Sequence, residues 1–363
     1  MNGIQEVSGS IPLISTKKPV TEKLQVFLFL LENRLPGRIQ TVRSERKGKD
    51  NVKKFLCVIL AVSLLAGCGS GNRDTVPEGE EGITFTDDLG RTVTVDQPER
   101  VAVLIGSFAD IWCLAGGKDT LVAAAHDSWT SFDLGLEDSV ADLGALKEPS
   151  IELLLASEPD LVLASSNTDA QVDLLEVLES SGLNVAYFKV ADFEDYLRML
   201  KICTQITGRE ENYLQYGQAL EEQRQAAIDR ADGSRPTVLY VRATGSSCKV
   251  KNSRDSVLGE MLAELGCINI ADSEDSLLEN LSMETIVAAD PDFIFAVLQG
   301  SDTGPAQAML EAELLSNPAW NGLTAVREGR YHIMDSRLYN LKPNARWGEA
   351  YERLADILYP ADK

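Results

Sequence analysis

Basic side chains stand close together at one point of a strongly acidic chain. Arg242, Lys249, Lys251 and Arg254 occur within 13 residues, although the 363-residue chain has a net charge of -22. The first 67 residues carry 11 Lys and Arg against 5 Asp and Glu, so the remainder carries about -28. Arginine binds carboxylates and catecholates through paired hydrogen bonds, and lysine adds a point charge. The group indicates a site for an anionic ligand or, alternatively, a solvated loop that balances local acid.

Aromatic and histidine residues suit a flat ligand better than a bare metal ion. Phe108, Trp129 and Tyr339 carry rings that could stack on an aromatic or planar ligand. A zinc or manganese site needs clustered histidines and carboxylates. The chain has two histidines, His126 and His332, which are distant in sequence. We therefore expect no metal site and no cofactor, and His126 is either a ligand contact or an ordinary loop histidine.

The sequence lacks the motifs of common enzymes. It contains no Gly-x-Ser-x-Gly, Walker or dinucleotide-binding motif, so we expect no catalytic residues. Its acidity argues against nucleic acid as a partner. Cys113, Cys203, Cys248 and Cys267 form no Cys-x-x-Cys pair and are typical of isolated buried thiols. A disulfide between Cys248 and Cys267 is an open alternative in an oxidising compartment.

Strands and helices alternate in both halves of the chain after residue 100. Continuous apolar strands separated by helices predict parallel sheets that are covered by helices on both faces. Ligands of such sheets bind beyond the carboxyl ends of the strands. The candidate ligand-binding residues at these ends and in the adjoining loops are Ser107, Phe108, His126, Trp129, Lys147, Ser166, Lys189, Arg242, Ser246, Lys249, Arg254, Gln299, Arg337 and Tyr339.

Two helical stretches without a strand between them separate the halves. They cover 192–207 and 210–230, and the second is polar with a thin apolar stripe, which suits a connector between two lobes. The predicted organisation is therefore an α/β fold of two lobes. An N-terminal ligand-binding lobe covers 83–191 and opens with a hairpin over 83–95. Connector helices cover 192–232, and a C-terminal ligand-binding lobe covers 233–363.

An internal repeat supports two similar lobes. Residues 151–164 read IELLLASEPDLVLA, and residues 283–296 read METIVAADPDFIFA. Each segment has a glutamate, then six residues, then Pro-Asp and an apolar strand. The Pro-Asp pair predicts a turn between a helix and that strand. Glu152 and Glu284 stand at equivalent places, either as surface residues that favour a helix N-terminus or as contacts for a partner.

A short apolar segment precedes the acidic body. Lys53 and Lys54 come before an apolar run that ends in Leu65-Ala66-Gly67-Cys68. The 12 residues from Phe55 to Ala66 would rise about 18 Å as a helix, which is too short for a bilayer core of about 30 Å. The closing LAGC resembles the lipobox of bacterial lipoproteins. The resemblance implies a signal peptide over 52–67 and lipidation at Cys68, which would anchor the protein to the membrane by lipid alone.

The segments that flank this signal are not predicted to fold. Residues 68–82 are rich in Gly, Glu, Asn and Asp and suit a flexible linker. Residues 1–51 precede an export signal that normally stands first. Since Val52 is compatible with a GTG start codon, we expect 1–51 to be a mis-annotated extension.

The chain from about residue 85 to 360 resembles the class III substrate-binding proteins of ABC importers, which carry iron–siderophore complexes, heme or cobalamin. The resemblance rests on FTDDLGRTVTV at 85–95, the 144–160 turn with its Pro-Asp, LGEML at 258–262 and NPAW at 317–320. It implies two lobes joined by a rigid helix, an inter-lobe cleft and little hinge motion. It further implies that Glu152 and Glu284 dock on an ABC permease, which works with an ATPase.

The ligand stays open between several chelates. Heme binders of this family often supply Met, His or Tyr from cleft loops, yet 146–148 reads Leu-Lys-Glu. The basic group and the missing heme ligands favour an iron–siderophore chelate, with heme or cobalamin as alternatives. A different class of function is also open: a lipoprotein with a sensing or structural role that binds no small ligand. We expect a monomer on the extracytoplasmic face of a bacterial membrane.

Overall fold

The computed structural model describes residues 82–254, 256–273, 275–279, 281–300 and 302–360. Cys68 and the segments 1–51 and 52–67 lie outside the described residues, as does the linker 68–82 except for Gly82. Among the described residues, no helix combines the length and the apolar character needed to cross a membrane.

A hairpin of β1 (Ile83–Thr86) and β2 (Thr92–Val95) begins the fold. Its turn is held by Asp87, whose buried carboxylate accepts hydrogen bonds from the amides of Leu89 and Arg91 at 3.1 and 2.9 Å. The Arg91 side chain donates to the other carboxylate oxygen at 2.6 Å, and the Tyr187 amide donates to it at 3.2 Å. One carboxylate thus closes the turn and fixes the hairpin to a distant strand.

The first lobe is a five-stranded parallel sheet in the order β5-β4-β3-β6-β7. Apolar runs of three to five residues form the central strands, as the sequence predicts. Its elements are β3 (Val101–Val103), α1 (Gly106–Leu114), β4 (Leu121–Ala124), α2 (Asp127–Thr130), β5 (Ala141–Asp142), α3 (Ile151–Ala156), β6 (Leu161–Ser165), α4 (Asp169–Val172), α5 (Leu175–Ser180) and β7 (Val185–Phe188).

The predicted connector consists of one buried helix and one helix that contains a π-helical turn. They are α6 (Phe193–Ile206), then α7 (Glu210–Tyr213) and α8 (Ala219–Ile228). The helical stretch predicted over 210–230 is helical without a break from Glu210 to Ile228, but a π-helical turn occupies Leu214–Gln218 within it. The Tyr196 hydroxyl donates to the Tyr216 carbonyl at 2.7 Å and satisfies the backbone there. The buried residues of α6 belong to the apolar cluster that also contains strand residues of both sheets, so α6 packs against this shared cluster.

The second lobe is a sheet in the parallel order β10-β8-β11-β12, with β9 antiparallel to β8. The strands β5, β9 and β10 are not predicted from the sequence, because they lack the continuous apolar runs that indicate the other strands. The elements are β8 (Thr237–Ala243), β9 (Cys248–Lys251), α9 (Val257–Glu264), β10 (Ile268–Asn269), α10 (Asp275–Glu279), α11 (Met283–Ala289), β11 (Phe293–Leu298), α12 (Gly304–Leu310), α13 (Thr324–Arg327), β12 (Tyr331–Met334), α14 (Ser336–Tyr339) and α15 (Trp347–Leu358).

One continuous apolar cluster joins both lobes. The inward faces of the two sheets, α6 and α15 all contribute to it, with Val103 and Phe295 as examples and Trp347 packed edge-on against Phe193 at 5.5 Å. Alternate strand residues form separate clusters on the outer face of each sheet. A shared core between lobes opposes a wide hinge motion, because opening it would expose apolar surface to water.

The repeat has the same local structure in both lobes. Ser150 and Ser282 each cap the following helix by accepting from an amide three residues on. Glu158 and Asp290, at equivalent positions, both adopt left-handed backbone conformations with φ of 44° and 40°. The Asp residue of each Pro-Asp pair then accepts from the backbone at the start of the neighbouring central strand, at Arg100 and Thr237. The repeated residues therefore encode one helix-to-strand connection twice.

The four described cysteines are all free thiols. Cys248 packs against the outer cluster of the second lobe, whereas Cys267 belongs to the cluster shared by the lobes. The alternative disulfide between these two residues is therefore wrong, since they lie on opposite faces of the second sheet.

Candidate functional site

Basic residues of the second lobe share the sheet face that points toward the first lobe. Arg242 on β8 lies directly opposite Lys249 on β9, so both side chains stand on one face. Tyr240, two residues before Arg242, belongs to the cluster that joins the lobes, which identifies the face. The 242–254 stretch is partly an antiparallel strand, and this pairing brings the two cations together as the sequence predicts.

The candidate cations are exposed or half-buried. Among the described residues, no ion pair involves Lys147, Lys189, Arg242, Lys249, Arg254 or Arg337. Ser246 is exposed, and Trp129, Ser166 and Gln299 are half-buried. Gln299 donates to the Asn340 side chain at 2.6 Å. These residues can offer hydrogen bonds to a ligand, and most of them are donors.

Three candidate ligand contacts lie inside the protein, which corrects their predicted exposure. Phe108 is 2 % exposed and packs edge-on against Phe188, because the first turn of α1 faces the core. Tyr339 is 1 % exposed and donates its hydroxyl to the Ala350 carbonyl at 3.0 Å. Ser107 is buried at the junction of the lobes. Stacking of a ligand on Phe108 is therefore wrong for this conformation, and Tyr339 can only form a wall.

His126 follows the end of β4, and the carboxylate of Asp142 on β5 holds its side chain. Its Nδ1 lies 2.7 Å from Asp142 Oδ2, and the imidazole is about half exposed. Burial raises the pKa of Asp142, but the hydrogen bonds from His126 and Gly144 outweigh it and lower that pKa below its ordinary value. A carboxylate on one ring nitrogen fixes the ring and leaves Nε2 directed elsewhere. The exposed imidazole is therefore available to contact a ligand.

The segment after α14 crosses from the second lobe to the first, a feature that sequence reasoning missed. Lys342 donates from Nζ to the Ala191 carbonyl at 2.7 Å. Asn344, fully buried, donates from Nδ2 to the Ser107 carbonyl at 2.9 Å and to Asp110 at 2.8 Å. Buried polar groups that span two lobes fix their relative position, because separation would leave them unpaired. No local pattern distinguishes these residues from a surface loop.

A half-buried glutamate lies near the same crossing. Burial, with Asp192 and other nearby carboxylates, raises the pKa of Glu260 to about 7, against the opposing effect of Lys342. Burial lowers the pKa of Lys342, although Glu260 and Asp192 favour its charged form. Glu260 Oε2 has no hydrogen-bond partner among the described residues. The junction thus holds titratable groups in an environment with little water.

The two repeat glutamates are both exposed on the first turn of their helices, Glu152 on α3 and Glu284 on α11. The next residue but one, Leu154 or Ile286, is fully buried and fixes each helix to its sheet. Neither glutamate forms an ion pair with a described residue, so each presents a free carboxylate.

Two α/β lobes that share a core, with basic side chains at the carboxyl ends of one sheet, define a substrate-binding protein. Residues 101–338 match the family model described as periplasmic binding protein, and the chain belongs to this family. The predicted class III fold is confirmed, and the protein is a binding protein rather than an enzyme.

Relatives of known name extend the comparison. The Fe(3+)-citrate-binding protein YfmC of Bacillus subtilis (strain 168) is 24% identical over 290 residues, covering 77% of this chain and 87% of its own. The iron-uptake system-binding protein of the same organism is 22% identical over 324 residues, covering 85% and 96%. The periplasmic heme-binding protein RhuT from Roseiflexus sp. RS-1 has the same fold, with a TM-score of 0.59, 21% identity and coverage of 73% and 99%.

Proposed function

We propose that the chain captures an iron–siderophore-type chelate between its lobes and delivers it to an ABC permease. The observation that carries the proposal is the pair Arg242 and Lys249, two cations on the inward face of the second sheet. The chain as a whole is strongly acidic. Iron chelates with carboxylate or catecholate groups are anions, and guanidinium groups bind such oxygens in pairs. The names of the two Bacillus subtilis relatives agree with iron as the cargo.

Ligand capture can be tested on the purified protein. We expect mass spectrometry of the protein released from cells grown without added iron to detect a bound chelator. Titration calorimetry with ferric siderophores, heme and cobalamin then ranks the candidates. Binding of a ferric chelate supports the proposal. Failure of every candidate to bind would favour the sensing or structural role.

Heme is a second candidate because of one specific observation. The Asp142–His126 pair leaves Nε2 of an exposed imidazole available, as an axial ligand of iron requires. The fold neighbour from Roseiflexus is named a heme-binding protein. If heme binds through His126, we expect the Soret band to shift in His126→Ala. A Soret band that this substitution leaves unchanged rules out His126 as the axial ligand.

We further propose that lipidation at Cys68 and docking through Glu152 and Glu284 place the protein beside its permease. The domain bounds 68–82 for the linker, 83–191 and 233–363 for the lobes and 192–232 for the connector belong to the same proposal. Two acyl chains give stable anchoring where one is marginal. Opposed charges would guide the encounter with basic residues of the permease.

Docking can be separated from ligand capture by charge reversal. We expect Glu152→Lys with Glu284→Lys to abolish chelate uptake by cells while leaving the calorimetric affinity unchanged. The matched control is Glu176→Lys with Glu279→Lys, exposed residues on α5 and α10. Normal uptake by the first double variant would refute docking through these residues.

A further inference from the structure

A partly open cavity of about 190 Å³ borders the junction of the lobes. Its polar lining residues come from the end of β8, the start of α9 and the crossing segment, and they are Tyr240, Arg242, Ser256, Tyr339, Asn340 and Lys342. Two of them are cations, and none of the described lining residues is an acid. Such a lining is unusual in a chain with 56 Asp and Glu against 34 Lys and Arg.

The hydrogen bonds already made by the lining show which groups remain for a ligand. Ser256 is committed, because it donates to the Asn252 carbonyl and accepts from the Gly259 amide. Tyr339 donates its hydroxyl away from the cavity, to Ala350. Asn340 accepts from Gln299 through Oδ1, which leaves its NH₂ group as a donor. The groups that remain are the Tyr240 hydroxyl, the Asn340 amide, the Arg242 guanidinium and two N–H bonds of Lys342.

All of these remaining groups can donate a hydrogen bond, and two of them are charged. A ligand that satisfies them must present several acceptors and a negative charge close together, as a carboxylate does. Glu260, Asp192 and Asp195 interact with Lys342 electrostatically, but none forms an ion pair with it among the described residues. The acids therefore support the charge on Lys342 without occupying its hydrogen bonds.

The size of the cavity limits what can enter. Pockets that enclose a whole small-molecule ligand usually measure about 300–1,000 Å³. A cavity of about 190 Å³ is smaller and suits one arm of a chelate, with the metal centre outside the cavity. Arg242 reaches both regions, because it lines the cavity and stands opposite Lys249.

We propose that this cavity is a carboxylate subsite for one acidic arm of the chelate, so that the ligand belongs to the α-hydroxycarboxylate class rather than the hydroxamates. The inference rests on the proposed function, since it specifies the ligand of the same protein. It adds Lys342 and Asn340 to the binding residues, and it places ligand binding next to the Lys342–Ala191 bond between the lobes.

Titration calorimetry of the full-length chain with ferric citrate and with a ferric trihydroxamate provides the test. We expect ferric citrate to bind at least about tenfold more tightly, because a trihydroxamate offers no carboxylate to the cavity. Tighter binding of the trihydroxamate overturns the subsite but leaves the proposed function intact. Failure of ferric citrate to bind overturns the subsite, whereas the proposed function is overturned only when every ferric siderophore of the titration series fails to bind.

Two variants locate the effect in the cavity. Asn340→Asp keeps the acceptor for Gln299 but replaces the NH₂ donor with a negative oxygen, so we expect ferric citrate affinity to fall about tenfold or more with folding preserved. Lys342→Met should have a similar effect, and Lys342→Arg should retain affinity. Lys201→Met, on the exposed side of α6, is the matched control. Unchanged citrate affinity in Asn340→Asp would overturn the subsite.

Discussion

At the scale of single residues, Asp87 carries more of the structure than its position in a turn suggests. Burial raises the pKa of Asp87, but its hydrogen bonds with Arg91 and Tyr187 outweigh this effect and lower the pKa below its ordinary value of 3.8. A carboxyl group with a lowered pKa stabilises the fold above its unfolded-state pKa, and this contribution is lost as the pH falls through the folded-state value. Asp87 is therefore one origin of acid sensitivity.

We expect Asp87→Asn to lower the free energy of unfolding at pH 7 by about 3 kcal/mol, since it leaves Arg91 without its buried partner. The loss should shrink at acidic pH, where the wild-type carboxylate becomes protonated. Urea unfolding at several pH values measures both effects. Asp96→Asn, an exposed change just after the hairpin, is the control. An equal loss at pH 3 and pH 7 would contradict this account.

At the scale of elements, the repeated helix-to-strand turn allows a matched comparison. Glu158 and Asp290 both adopt the left-handed conformation, which favours glycine. We expect Glu158→Gly to stabilise the protein by about 0.5–1 kcal/mol. Asp290→Gly should bring no gain, because Asp290 accepts from the Thr324 amide and hydroxyl at 2.8 and 2.6 Å. Thermal unfolding of both variants tests this, and equal shifts would contradict it.

The α9 helix brings Glu260 to the lobe junction with a pKa of about 7, above its ordinary 4.5. The folded protein therefore holds this proton more tightly than the unfolded chain, so the contribution of Glu260 to stability is fully present below the unfolded-state pKa and falls as the pH rises to about 7. We expect Glu260→Gln to remove this fall and to be more stable than wild type at pH 8 by about 1 kcal/mol.

The check is the difference in unfolding free energy between variant and wild type from about pH 5 to about pH 8. Glu222→Gln on the exposed surface of α8 should show no such trend. A difference that stays constant over this range would mean that Glu260 titrates like an exposed glutamate.

At the scale of the whole molecule, the cluster shared by the lobes predicts one cooperative unfolding transition. Trp347 belongs to this cluster, whereas Trp320 belongs to the outer cluster of the second lobe. We expect Trp347→Ala and Trp320→Ala each to cost about 3–5 kcal/mol and to shift the same single transition. Calorimetry checks this, and two separate transitions in either variant would show that the lobes unfold independently.

Local sequence patterns were sufficient for the fold class. The apolar runs of β3, β6, β8 and β11 and the repeated Pro-Asp turns depend on neighbouring residues, so they can be seen in one dimension. The short strands β5, β9 and β10 could not be predicted, since two to four residues without a continuous apolar run form a strand only when a partner strand lies beside them. The pairing of β8 with β9 decided that Arg242 and Lys249 face the same space.

The sequence by itself determined two similar α/β lobes, a joining helical region and a concentration of positive charge in an acidic chain. Only the tertiary structure decided that Phe108 and Tyr339 are buried, that Asp87 joins the hairpin to β7, and that Lys342 and Asn344 cross between the lobes. These features depend on contacts between residues that are up to 237 positions apart. Such contacts form only when the shared core brings the lobes together, because burial then makes each polar group require a partner.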